Sequence, residues 1–203
     1  MIAIIDYNMG NLRSVENAFL KLGKKVTIVK NPDELKNYDK LILPGVGAFG
    51  DAMKHLKENS SDEAIKEFAK SGKPLLGICL GMQLLLESSD EFGNHDGLSL
   101  ISGVVEKFDK SKFNTPLKIP HMGWNKLNIK KQSPLFDNLQ QSIYLYFVHS
   151  HHVKCDDEFT IGETEYGYKF TSAINKENIY GFQPHPEKSH ENGLKILKNF
   201  TEL

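Results

Sequence analysis

A cysteine stands between two glycines in Gly77-Ile78-Cys79-Leu80-Gly81-Met82-Gln83. Pro74 to Ile78 reads as a short buried strand and Leu80 to Glu87 as a helix, so Cys79 falls at the sharp turn that joins them. Such a turn crowds its neighbours, which accounts for the glycines. There the sulfur faces a helix N-terminus, whose partial positive charge favours thiolate and whose free N–H groups can hold an oxyanion. Far downstream, His185-Pro186-Glu187 offers a base. On extended backbone, side chains at i and i+2 point to the same side, and Pro186 restricts both its own φ and the residue before it. His185 and Glu187 therefore project together, and Glu187 can take the Nδ1 proton while Nε2 is left for the sulfur. That is triad logic with cysteine as nucleophile. Taken singly, a buried spectator cysteine and a loop tripeptide would account for either motif; their combination points to chemistry.

The elements that must hold these groups alternate along the first half of the chain. Strands are expected over 2–6, 26–29, 41–43 and 74–78, and helices over 11–22, 51–70 and 80–87, a pattern that builds a parallel sheet. Leu12, Val15, Phe19 and Leu22 recur at helical spacing, so the first helix lays an apolar stripe on that sheet and Gly23 closes it. After Gly97 the texture changes to short β-rich runs over 101–108, 124–129, 143–148, 160–166, 171–175 and 179–182, which predict an antiparallel extension; a last helix covers 190–200. The fold class is thus α/β and three-layered, with a mostly parallel central sheet flanked by helices and a smaller antiparallel β extension. In open α/β sheets sites form beyond the carboxyl ends of strands. The cysteine turn, the Pro44-Gly45-Val46-Gly47 loop and the His-Pro-Glu segment each follow a predicted strand. Without side chains at Gly45 and Gly47, the loop N–H groups can approach a carbonyl oxygen or reorient cheaply; an ordinary tight turn is the plainer reading.

The 203 residues suffice for a single domain spanning 1–203, and 39% hydrophobic with 25% charged residues is ordinary for a globular chain. With 25 basic and 26 acidic side chains, the formal net charge of -1 favours neither nucleic acid nor an anionic membrane as partner. The only cysteines are Cys79 and Cys155. A disulfide between them would consume the nucleophile, and a reactive free thiol suits a reducing cytosol, so a cytoplasmic protein is expected. The N-terminus carries no basic leader, and no stretch approaches the ~18 apolar residues of a spanning helix. Cys155, in Lys154-Cys155-Asp156-Asp157-Glu158, reads as part of a turn. His149-Ser150-His151-His152 invites a zinc reading, but no carboxylate or thiol set completes four ligands, so no metal is expected.

The cysteine turn, followed by Gly181-Phe182-Gln183-Pro184-His185-Pro186-Glu187-Lys188-Ser189, resembles the signature of the class I (triad) glutamine amidotransferases. Ile4 to Asn11, Leu43 to Gly50, Pro120 to Asn125 and Tyr146 to Ser150 further resemble segments of the glutaminase subunits of imidazole glycerol phosphate synthases, a likeness that runs nearly end to end. The resemblance implies a flavodoxin-like core and a catalytic triad of Cys79, His185 and Glu187. It implies an oxyanion hole at Gly45, Val46, Gly47 and Leu80, and glutamine binding by Gly47, Gln83, Glu91 and the backbone around Ser150 and His151. No cofactor is implied. The partner implied is a cyclase subunit with a (β/α)8 barrel, which takes the ammonia in histidine biosynthesis and whose ligand activates the glutaminase through the glycine loop. Asn11, Pro120, Trp124, Asn125, Tyr146 and Lys188 would meet it. Trp124, between Gly123 and Asn125 in a loop-like segment, suits an interface anchor.

Asn8, Pro184 and the pair His151-His152 stand where that family usually has glycine, phenylalanine and tyrosines. These departures keep a second acceptor in view, since similar subunits supply ammonia for amidino groups on surface-glycan sugars. A stand-alone cysteine hydrolase of γ-glutamyl compounds and a non-catalytic interaction module are the readings from other classes.

Overall fold

A computed structural model describes residues 1–203. Strand β1 (Ile2–Ile5) is buried along its whole length. Its period-two alternation sends Ala3 and Ile5 to one core and Ile2 and Ile4 to another. Strands β3 (Lys40–Leu43) and β4 (Leu75–Ile78) divide in the same way, Leu41, Leu43 and Leu75 on the first side and Ile42, Leu76 and Ile78 on the second. A sheet buried on both faces needs cover on both. Helices α2 (Phe49–Glu58) and α3 (Ser61–Lys70) supply it on the first face, α1 (Leu12–Lys21) and α5 (His190–Glu202) on the second. With β2 (Val26–Val29) and β13 (Ile179–Phe182), the parallel part runs in the order β2-β1-β3-β4-β13.

Beyond β13 the sheet continues antiparallel through β12 (Tyr168–Lys176), β10 (His151–Cys155) and β7 (Gly103–Lys107). The two-residue strands β5 (Ser88–Ser89) and β6 (His95–Asp96) close that edge. A branch leaves β12 through β11 (Thr160–Tyr166) to the hairpin of β8 (His121–Ile129) and β9 (Ser142–His149). No helix is long and apolar enough to cross a membrane.

The expected elements are present, with four differences. Residues 51–70 form two helices rather than one, because Ser60 adopts a left-handed backbone at φ 59° and the Asn59 Oδ1 accepts the Ser61 N–H at 3.2 Å. The helix after Cys79, α4 (Leu80–Leu84), stops short of Glu87 because the returning chain takes its last carbonyls: Leu98 N–H donates to Leu84 O at 2.9 Å and Leu100 N–H to Leu85 O at 2.9 Å. Strands β5, β6 and β10 carry no separate sequence signal. Trp124 lies within β8, opposite Tyr146 on β9, and not in a loop. Helix α1 ends as expected: Gly23 has φ 69°, its N–H donates to Leu20 O and the Lys24 N–H to Phe19 O, the Schellman pattern.

Candidate active site

The carboxyl ends of three neighbouring parallel strands meet at one cleft of about 270 Å³. From the end of β4 comes Cys79, with φ 55° and ψ −113°, a backbone conformation that costs about 1–3 kcal/mol unless its surroundings impose it. They do. A Cβ on Gly81 would run into the Leu43 carbonyl, and one on Gly77 would meet the Gly81 oxygen at 2.6 Å, so the strand can pass into α4 only where both side chains are missing. The Cys79 N–H donates to Phe182 O at 2.8 Å, which ties the turn to β13.

From the end of β13 come His185 and Glu187, joined from Nδ1 to Oε1 at 2.8 Å with side chains 3% and 2% exposed. Burial disfavours the charged ring, but the Cys79 sulfur and the Glu187 carboxylate outweigh it, and the His185 pKa is pushed up to about 10. Glu187 occupies Nδ1, so the sulfur acts from the Nε2 side, where the nitrogen is buried without a well-aligned hydrogen-bond partner.

From the end of β3 comes the glycine loop. Val46 and Gly47 line the cleft with Leu80, and no protein group takes the Val46 or Gly47 N–H; Leu80, first in its helix, has a donor that no preceding turn can satisfy. Gly45 is buried and does not line the cleft; an added Cβ there would lie 2.7 Å from Tyr7 Oη. Tyr7, fully buried, donates from that hydroxyl to Pro44 O at 2.7 Å. Burial above all, then the Cys79 sulfur, holds its phenol protonated far beyond the ordinary range.

Gln83, Glu91, Ser150 and His151 also line the cleft. Gln83 spends its amide hydrogens inside the protein, donating to His151 O at 3.1 Å and to Gln183 Oε1 at 2.9 Å. Glu91 is held from both carboxylate oxygens. Its Oε2 accepts the Phe49 N–H at 2.7 Å, starting α2, and its Oε1 lies 3.3 Å from His151 Nδ1. Burial raises its pKa, and those two contacts more than reverse the effect, leaving it lowered. Gln183 was missed in the sequence: it is fully buried and its Nε2 donates toward Cys79 Sγ at 3.8 Å. Its signal was its place two residues before His185.

The residues expected at a partner surface divide. Trp124 is 46% exposed and stacks on His190 with rings 4.9 Å apart, while Tyr146, half-buried, meets its edge. Pro120 lies at the cleft rim and Lys188 is exposed beside the groove between α1 and α5. Asn11 uses its side chain to cap α1, accepting the Ser14 N–H at 3.3 Å. Asn125 points inward and is consumed there, its Nδ2 donating to Glu165 O at 2.9 Å. Cys155 is remote from the cleft, its thiol 3.7 Å from Thr160 Oγ1 and pushed up in pKa by burial.

The family model described as glutamine amidotransferase class-I matches residues 3–203. The chain belongs to that family. This amidotransferase is 66% identical to the imidazole glycerol phosphate synthase subunit HisH of Sulfurimonas denitrificans, over 100% of its own length and 98% of the relative's. It is 58% identical to the subunit HisH of Wolinella succinogenes, over 100% of both chains, and so belongs among the HisH subunits. Among solved structures, PurLQS from Thermotoga maritima superposes with a TM-score of 0.77 at 20% identity, covering 99% of the amidotransferase and 97% of that chain, a likeness of fold.

Proposed function

We propose that the protein hydrolyses glutamine to glutamate and ammonia, and that it hands the ammonia to a cyclase subunit with a (β/α)8 barrel as the glutaminase half of an imidazole glycerol phosphate synthase. The observation that carries the reading is the buried His185–Glu187 pair turned toward a sulfur in a strained strand-to-helix turn. The Cys79 sulfur attacks the side-chain amide carbon of glutamine, and the N–H groups of Leu80 and the Val46–Gly47 segment take the oxyanion. His185 gives its proton to the departing ammonia. The same ring then draws a proton from water, which attacks the γ-glutamyl thioester, and glutamate leaves with the sulfur restored. Glu187 keeps the ring in register and balances its charge throughout. Ammonia released into water at neutral pH becomes ammonium, which is not nucleophilic, so delivery to a synthase follows from the chemistry. The exposed face of the β8–β9 hairpin, with Met122, Trp124 and Tyr144, suits the contact, since large aromatic and sulfur side chains are enriched at interface centres.

Glutamine and the imidazole-precursor nucleotide, supplied with each candidate barrel subunit from the same cell, test the assignment. Imidazole glycerol phosphate from one pairing, with glutamate release that rises when barrel and nucleotide are both present, supports it. Glutamate release indifferent to every barrel makes the protein a stand-alone hydrolase. An amidino sugar as the product moves it to glycan synthesis.

A further inference from the structure

Alongside the cleft, which His149 itself lines, lies a pair of buried histidines that this chemistry leaves unused. His121 and His149 sit directly opposite each other on the β8–β9 hairpin, with Nδ1 of the first 2.9 Å from Nε2 of the second. His121 is stacked between the rings of Phe147 and Tyr166, each inclined by 23°. At the far end Asn125 Nδ2 reaches His121 Nε2 at 3.2 Å, and at the near end His149 Nδ1 lies 2.8 Å from the backbone oxygen of His151.

The proton positions in this row follow from its two ends. A carbonyl oxygen can only accept, so the His149 Nδ1 carries hydrogen and, in the neutral ring, Nε2 accepts. The His121 Nδ1 must then donate and its Nε2 must accept, which the Asn125 amide satisfies. Asn125 is oriented independently: its Nδ2 also donates to Glu165 O at 2.9 Å, and its Oδ1 takes the Lys126 N–H at 2.8 Å. Each donor has an acceptor only if both rings are neutral and carry hydrogen on Nδ1. Burial favours this state, lowering the His121 pKa to about 4 and that of His149 well below its ordinary value.

A second arm reaches the same carbonyl. Gln83 Nε2 donates to His151 O at 3.1 Å and to Gln183 Oε1 at 2.9 Å, and Gln183 Nε2 turns to the Cys79 sulfur. Resting on the glutaminase reading, we infer that His121 and His149 are positioning residues for glutamine: locked as Nδ1–H tautomers, they fix the His151 carbonyl and with it the Ser150–His151 wall of the cleft.

Long-range ¹H–¹⁵N spectra of the full chain labelled in histidine, at pH 7, read the tautomers directly. Nδ1–H on both rings is expected; Nε2–H or a charged ring at either position overturns the inference. Kinetics in complex with the barrel partner then separate positioning from packing. His149→Leu removes the donor to His151 and should raise the glutamine KM about tenfold with kcat little changed, whereas His149→Asn keeps a donor at the δ position and should recover most of the loss. A wild-type KM in His149→Leu, or equal losses in both variants, overturns the positioning role and leaves the glutaminase intact. A wild-type complex that releases no glutamate overturns the parent reading, and this one with it.

Discussion

Cys79 and His185 divide the work at the scale of single residues. Replacing Cys79 by alanine removes the proposed nucleophile, leaves the turn's backbone in place, and should lower glutamate release more than about a thousandfold while the thermal midpoint holds; a coupled glutamate assay beside a melting curve checks both. The Glu187→Gln variant takes away one charge that keeps the imidazole protonated, so the His185 titration seen by NMR should fall from about 10. The folded pKa lies above the ordinary 6.5, so the protonated ring's contribution is complete below about pH 6.5 and fades as pH climbs through about 10. Wild type should therefore lose stability relative to Glu187→Gln across that window in denaturation series. The Cys79 turn and the His185–Glu187 pairing were legible in the sequence because their logic is local: a cysteine at a strand end, and a His-x-Glu spacing fixed by proline. Gln183 and the His121–His149 pair were not, because each acts through a partner remote in the chain, brought opposite only by strand register.

Elements set the second scale, and the places where backbone geometry is extreme tell which substitutions they tolerate. Asn8 has a φ of 68°, and asparagine enters the left-handed region readily, here with its N–H donating to Asp6 Oδ1 at 3.1 Å. Asn8→Gly should leave stability almost unchanged and Asn8→Ala should cost about 1 kcal/mol, as urea midpoints will show. At Gly81 an added methyl would collide with the Leu43 carbonyl of the neighbouring strand, so Gly81→Ala should destabilise by about 1–3 kcal/mol and cripple glutamate release together. Regular elements were read well because hydrophobic period and strand alternation are local signals. The break at Asn59–Ser60 was overlooked although its cause is local: the Asn59 side chain accepts the Ser61 N–H and Ser60 turns left-handed between two stretches that each carry helical periodicity. The two-residue strands at the sheet's edge are products of tertiary pairing.

For the molecule as a whole, a single tryptophan gives a convenient reporter. Trp124, 46% exposed on β8, should shift its emission to shorter wavelength when the proposed cyclase partner covers it; Trp124→Ala should weaken that association by about 2 kcal/mol or more if it anchors the contact. An unchanged spectrum in a demonstrated complex would place the contact elsewhere. The broad α/β plan and the convergence of three loops were visible from the order of strands and helices. The way the extension grows out of the core was not, since pairing partners cannot be read from runs of β-formers. That junction has a mechanical meaning. Strand β13 runs alongside β4 in one direction and against β12 in the other, so the imidazole at its tip is bolted to a beam gripped from either side. The sulfur is fastened to the same beam through the Phe182 carbonyl. Neither can travel unless the whole frame bends. The glycine loop stands outside that frame, with Val46 at the mouth of the cleft and 41% of its surface open.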